Sequence, residues 1–264
     1  MYVSPEVASL LDALTSGVRE ALGDNLVGVY LRGSLAMGDF DPATSDVDFF
    51  TITERPASAD EFAALAALQE RMSLSSNPFG DQLEGTYVDR PAAWRYEPGR
   101  WFPTIGRNET LEWSEHGANW ILERWVIRER GKILLGPDPR ALIAPVSNDE
   151  LRAAVRDRLP DWIEYANQPD DPAWRFHRGH KAYIVETMCR ALCTLATGEL
   201  QTKPQAVAWA LAALPAPWPD LVERSQAWRG DPEPDESLNA EVRRFVLWAA
   251  ARGGSARTPP DARP

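Results

Sequence analysis

Cysteine is scarce in this chain: two among 264 residues, Cys189 and Cys193, four apart in a helical pattern. So few exclude a disulfide framework, and the spacing puts both on one helix face, where buried thiols rather than a bridge are expected. Positive charge is also short, with 28 Lys and Arg against 39 Asp and Glu, for a net charge of −11. No basic patch offsets the acids, which excludes a nucleic-acid partner and suits a cationic small molecule. No apolar run reaches the length of a signal peptide or membrane span, so a cytoplasmic protein without a membrane partner is expected, with a monomer as its assembly. His177 and His180 lie three apart in HRGH, but the glycine between them and the lack of a third nearby ligand argue against a metal site. There is no internal repeat, no Walker A sequence, no dinucleotide-binding glycine pattern, no HExxH and no paired CxxC.

What is present concentrates in residues 26–50, LVGVYLRGSLAMGDFDPATSDVDFF. An apolar run ends at Arg32 and reads as a buried strand. Gly33 permits a tight turn, and Ser34 stands where an N-cap would start a helix. Twelve residues after Ser34 comes Asp46-Val47-Asp48, opening a second strand over 47–53. Residues two apart on a strand share a face, so Asp46 and Asp48 project together. Like charges this close call for a cation, and Mg²⁺, a hard ion that also bridges phosphate oxygens, is the natural one. Strand, Gly-Ser, helix-sized interval, Ser-Asp-x-Asp and apolar strand together read as the signature of a nucleotidyltransferase site.

LEGTYVDRP, residues 83–91, reads as a third strand with Glu84, Thr86 and Val88 on one face. Paired beside the Asp46/Asp48 strand, Glu84 would bring a third acid to the metal site. Transfer to a hydroxyl needs carboxylates that hold metal and one that accepts the proton of the attacking oxygen. Glu84 is the choice for that base, with Asp81 and Asp89 as competitors.

Apolar positions Val7, Leu10, Leu11, Leu14 and Val18 predict a helix over 4–22, and ASADEFAALAALQERM predicts another over 57–72 with Ser58 as cap. With the three strands these make an α/β domain with a small mixed sheet. Residues 94–113 read as irregular, with Trp94, Trp101 and Trp113 among prolines and glycines. Aromatics this dense must pack somewhere, either on the helical half or as a wall over a bound substrate. Residues 117–137 read as helix, short strand and turn. Helices are then predicted at 149–167, 174–197, 204–213, 218–229 and 237–251, an all-α bundle. The expected domains are 1–147, a nucleotidyltransferase domain, and 148–252, the helical domain, followed by a disordered Pro-rich tail at 253–264.

These motifs resemble those of the aminoglycoside adenylyltransferases that modify streptomycin and spectinomycin, within the DNA polymerase β-like nucleotidyltransferase superfamily. The residues that carry the resemblance are Gly33-Ser34, Ser45-Asp46-Val47-Asp48 and Leu83-Glu84. It continues through Trp94-Arg95-Tyr96, Leu135-Gly136-Pro137, Arg190 to Thr197-Gly198, Lys203 and the Ala-x-Trp-Ala run around Trp209. It implies that Gly33 and Ser34 bind a phosphate of ATP, that Asp46 and Asp48 hold Mg²⁺ with Glu84 alongside, and that Glu84 is the catalytic base. It also implies that Arg190 and Lys203 reach the nucleotide phosphates from the helical domain. The implied reaction moves AMP from ATP to a hydroxyl of a small, aminoglycoside-like molecule.

The chain departs from the family ahead of Arg190. There the family is acidic, whereas residues 175–181 read Arg-Phe-His-Arg-Gly-His-Lys, with Asp170 and Asp171 upstream. A guanidinium-bearing acceptor such as streptomycin would meet like charge if that segment lines the pocket. Two further readings stay open. One is a regulatory, antitoxin-like module, against which the large helical domain argues. The other is adenylylation of an acceptor that is not an antibiotic.

Overall fold

The computed structural model describes residues 4–254. Its contacts divide the chain between Val146 and Ser147 into two compact units. The first opens with α1 (Pro5–Leu22), capped by Ser4, whose Oγ accepts from the Val7 N–H at 3.3 Å. Val7, Leu10, Leu11, Leu14, Val18 and Leu22 make one buried stripe along it. Each such side chain contributes about 1.5–3 kcal/mol on full burial. Then come β1 (Leu26–Leu31), α2 (Gly33–Met37), β2 (Val47–Thr53), α3 (Ala59–Ser73) and β3 (Leu83–Asp89). Ser58 and Glu61 form a capping box at the start of α3. The unit continues through α4 (Arg90–Trp94), β4 (Trp101–Ile105), β5 (Glu112–Glu115), α5 (Asn119–Arg130) and β6 (Lys132–Leu135).

The six strands form one mixed sheet in the order β5-β4-β3-β2-β1-β6. β2 and β3 run parallel, joined by the α3 crossover, and the other neighbours pair antiparallel. Alternation sorts the inner strands into two faces. Val29, Phe49, Leu83, Tyr87 and Ile105 face a core shared with α1 and α3. Tyr30, Phe50, Ile52, Val88 and Phe102 face a second core with Ala92, Trp120 and Ile127 of α4 and α5. Every even-numbered residue of β2 and β3 therefore looks toward α5.

The stretch at 94–113, expected to be irregular, holds the β4–β5 hairpin, with Trp101 opposite Glu115 and Pro103 opposite Trp113. All four residues of β5 are exposed, so it shows no apolar alternation. Trp101 and Trp113 share the parity of Ile105 and its cross-strand partners, and Trp113 stacks on Phe62 of α3 at 5.6 Å. Both lie on the sheet face away from Glu84, so neither forms a wall over the acids.

The second unit holds α6 (Asn148–Asn167), α7 (Arg178–Thr197), α8 (Lys203–Ala213), α9 (Trp218–Gln226) and α10 (Asn239–Gly254). Trp174, Ile184, Met188, Trp218 and Phe245 anchor its core. α7 starts at Arg178 rather than residue 174: Pro172–Arg175 form a 3₁₀ turn, and Phe176 and His177 are extended. The buried Lys181 ammonium holds that turn, donating to the carbonyls of Trp174 at 3.0 Å and Phe176 at 2.6 Å. Cys189 and Cys193 are free and buried, and burial pushes the Cys189 thiol up to about 12. α10 runs through Gly253 to Gly254, two residues into the expected tail, whose remaining residues, 255–264, lie outside the described ones. Among the described residues no helix is long and apolar enough to cross a membrane.

Candidate active site

Strand geometry alone brings the acids together. β2 and β3 pair in parallel register with Asp48 directly opposite Glu84, and both side chains are even-numbered and so share the α5 face. β1 pairs antiparallel with β2, which sets the end of β1 beside the start of β2. There the Arg32 N–H donates to the Asp48 carbonyl at 3.1 Å.

The Arg32 side chain, 6% exposed, reaches the acids of both strands. Its Nη1 lies 3.0 Å from Asp48 Oδ1 and 2.9 Å from Glu123 Oε2, its Nη2 3.1 Å from Glu84 Oε1, and its Nε donates to the Phe49 carbonyl at 3.4 Å. Its guanidinium carbon sits 5.5 Å from the Trp120 ring centre. Asp46 pairs with Arg107 at 3.3 Å. Four carboxylates thus face two guanidiniums, an excess of negative charge.

The electrostatics follow from this crowding. Burial pushes the Asp48 carboxyl up to about 7; Arg32 opposes the shift, and Glu84, Glu123 and Asp46 add to it. Burial disfavours the charge of Arg32, but Glu123, Asp48 and Glu84 outweigh it and raise its pKa, so it stays protonated. Nearby, the His116 ring stacks on Trp120 at 3.7 Å, with Nε2 at 3.1 Å from Thr104 Oγ1 and 3.3 Å from Thr86 Oγ1.

Gly33 takes φ +59°, and a Cβ there would collide with Asp48 Oδ2, so only glycine lets the turn pack this closely against that carboxylate. Ser34 is not a cap: α2 begins at Gly33, Arg32 holds the N-cap position, and no side chain makes a capping bond. Asp89 is spent elsewhere, paired with Arg100 at 2.8 Å and accepting from the Ala92 N–H. Asp81 is exposed and accepts from Gln82 Nε2. Of the three candidate bases, Glu84 alone contacts the Asp48 cluster through Arg32.

In the helical unit, Arg190 lies partly buried on α7, and Lys203 opens α8 with Nζ 5.3 Å from the Tyr183 ring centre. His180 Nε2 lies 3.4 Å from the Tyr165 hydroxyl, while His177 caps α7 by position without a side-chain bond. Two cations of the basic segment are bound within their own unit. Arg178 pairs with Asp231 at 3.2 Å and Asp235 at 3.1 Å, and Lys181 is bound to carbonyls.

Arg32 and Glu123 are the site residues that the sequence did not announce. Glu123 had a signal: it falls three residues after Trp120 and four before Ile127, on a buried helical stripe where an acid needs a partner. Arg32 was a cation closing an apolar strand.

Among the described residues no three His, Cys, Asp or Glu side chains converge as a ready-made metal site. The expected convergence of Asp46, Asp48 and Glu84 is therefore not found: Asp46 pairs with Arg107 at 3.3 Å, while Asp48 and Glu84 share Arg32. Asp48 and Glu84 nevertheless offer hard carboxylate oxygens amid an excess of negative charge, which fits Mg²⁺, an ion commonly held by one or two carboxylates and completed by substrate phosphates.

Comparison with known proteins defines the class first. A nucleotidyltransferase domain model matches residues 14–79, which contain Gly33, Ser34, Asp46 and Asp48, and the model described as aminoglycoside adenylyltransferase, C-terminal domain, matches residues 141–252. The chain is 29% identical over 245 residues to an aminoglycoside (3'') (9) adenylyltransferase of Escherichia coli, covering 88% of each. It is 25% identical over 246 residues to a spectinomycin 9-adenylyltransferase of Staphylococcus aureus, covering 88% of this chain and 89% of the relative. The crystal structure of spectinomycin adenyltransferase AAD(9) from Enterococcus faecialis with ATP and spectinomycin has the same fold, with a TM-score of 0.74 at 17% identity over 94% of this chain and 99% of that one. The chain is therefore an adenylyltransferase, and its two domain matches and its near full-length relatives support the aminoglycoside adenylyltransferase family.

Proposed function

We propose that this protein transfers AMP from ATP, the co-substrate its family implies, to a hydroxyl of an aminoglycoside-type acceptor, with Mg²⁺ as the metal. One observation carries the residue assignment: Asp48 and Glu84 stand at the same level on adjacent parallel strands, on one face. Their exposure divides their roles. The Glu84 side chain is 40% exposed and within reach of a substrate, whereas that of Asp48 is 15% exposed. Glu84 accepts the proton of the acceptor hydroxyl as its oxygen attacks the α-phosphorus of ATP in line, and pyrophosphate leaves. Asp46 and Asp48 are the metal-holding carboxylates, with Glu84 beside them. When bound there, Mg²⁺ supplies charge neutralisation to the phosphate oxygens.

Gly33 and Ser34 cradle a phosphate at the turn that follows β1. Arg190 and Lys203 offset the remaining triphosphate charge. Lys203 begins α8, at the positive end of the helix dipole, a poor place for a cation unless an anion joins it. Because Arg178 and Lys181 are satisfied within their own unit, the basic segment opposes a cationic acceptor less than its composition implies. The cytoplasm, where ATP is abundant, is the compartment we assign, with a monomer as the working unit.

Purified Asp48→Asn protein, given ATP, Mg²⁺ and either spectinomycin or streptomycin, tests the reading by pyrophosphate release and acceptor mass. Turnover should fall about 10²–10³-fold, the scale seen when transition-state charge stabilisation is removed, with circular dichroism unchanged. Turnover retained in a folded Asp48→Asn enzyme would refute the assignment.

A further inference from the structure

We propose that Arg32, anchored by Glu123, is a positioning residue that sets the two central acids for reaction; the proposal rests on the adenylyl-transfer reading above. A single guanidinium touches all three carboxylates, at 3.0 Å for Asp48, 3.1 Å for Glu84 and 2.9 Å for Glu123. It is buried, it is always charged, and its planar fork fixes directions as well as distances. On each central acid it occupies one oxygen, Asp48 Oδ1 and Glu84 Oε1. Arg32 leaves the other oxygen of each acid unbonded: Asp48 Oδ2 lies against the Gly33 turn, and Glu84 Oε2 belongs to a side chain that solvent reaches. Arg32 thus decides which carboxylate oxygen meets the metal and which takes the proton.

Glu123 completes the device. It comes from α5, outside the strands that carry the other two acids, and it bonds the same Nη1 that holds Asp48. Trp120, one turn earlier on α5, covers the guanidinium. α5 therefore steadies a group that β1 delivers, and Glu123 acts on the acids through Arg32.

Arg32 also competes with a divalent cation for Asp48 and Glu84. Removing it should have opposite effects on binding and on rate, a signature that simple structural damage would not produce. In Arg32→Gln, Mn²⁺, used as a probe for Mg²⁺ and followed by electron paramagnetic resonance, should bind several-fold more tightly because a repelling charge is gone (roughly 5-fold or more). Yet kcat should drop about 100-fold, the cost of a misplaced catalytic group, with KM for ATP within about threefold of wild type. Arg32→Lys should show the same loss of kcat, since an ammonium lacks the fork.

Glu123→Gln, at a partly exposed position and so safe for folding, should lower kcat about 10-fold, the scale of one charge-assisted hydrogen bond. It should have no further effect in the Arg32→Gln background. Weaker Mn²⁺ binding in Arg32→Gln, wild-type kcat in Arg32→Lys, or additive effects of the two changes would each overturn the proposal. Asp46→Asn serves as the control: if it retained transfer, the underlying reading would fail, whereas its inactivation beside unaffected Arg32 and Glu123 variants would sink only the clamp.

Discussion

Replacing Gly33 by alanine is the sharpest perturbation that this site offers. At φ +59° an L-residue carries a backbone penalty of about 1–2 kcal/mol. The new methyl would also collide with Asp48 Oδ2, so the carboxylate must swing away from its 3.0 Å contact with Arg32. Breaking a buried ion pair costs about 3–5 kcal/mol, and the lower end applies because Arg32 keeps Glu84 and Glu123. Together these give about 4 kcal/mol, and for a chain of this size each kcal/mol moves Tm by about 2–4 °C. Gly33→Ala should therefore melt about 10 °C below wild type in differential scanning calorimetry and lose pyrophosphate release. Gly99→Ala is the matched control, with φ +77° and nothing within 4 Å of the added carbon. It should show only the backbone penalty and turn over normally. If Gly33→Ala melted with Gly99→Ala and kept its rate, the close approach of turn and carboxylate would be wrong.

His116 should make the protein acid-sensitive. Burial first, then the fields of Arg124 and Arg32, push its pKa down to about 3. A base whose folded pKa lies below its unfolded value of ~6.5 gives stability that is complete above that value and is lost as pH falls. From pH 6.5 to 4.5 the loss should be about 2–3 kcal/mol in urea titrations, and smaller in His116→Phe; equal slopes for the two proteins would contradict it. Lys203→Ala should raise KM for ATP about 10-fold with little change in KM for the acceptor, as expected for one charge-assisted phosphate contact, and steady-state kinetics read the difference. Ser147 and Glu150 form a capping box at the start of α6, so Ser147→Ala should cost about 1 kcal/mol in chemical denaturation without changing kcat.

The acids were readable because they obey the simplest periodicity. Asp48 and Glu84 each sit at the entrance of an apolar run, and alternation settles their side once the strands pair, whereas Asp46 stands one residue ahead of β2 and pairs with Arg107. The α1 stripe and the Ser58 cap were equally local. The β4–β5 hairpin was hidden for a physical reason: it lies at the sheet edge, carries Pro103, and exposes every residue of β5, which removes the alternation that marks a strand. The late start of α7 depends on Lys181 reaching back to two carbonyls, an event of side-chain geometry. Arg32 and Glu123 depend on where α5 packs, and spacing along the chain carries no trace of that.

The parallel ladder from Val47 opposite Leu83 to Thr53 opposite Asp89 has one more implication. Shifting it by a single step would swing Glu84 beneath α1 and α3 and expel Leu83 and Tyr87 from their oily bed, so a misaligned sheet could not survive as a soluble decoy. Molecules that fold at all have already aligned their machinery. Dead protein in a preparation should be unfolded protein, and specific activity should serve as a gauge of the native fraction.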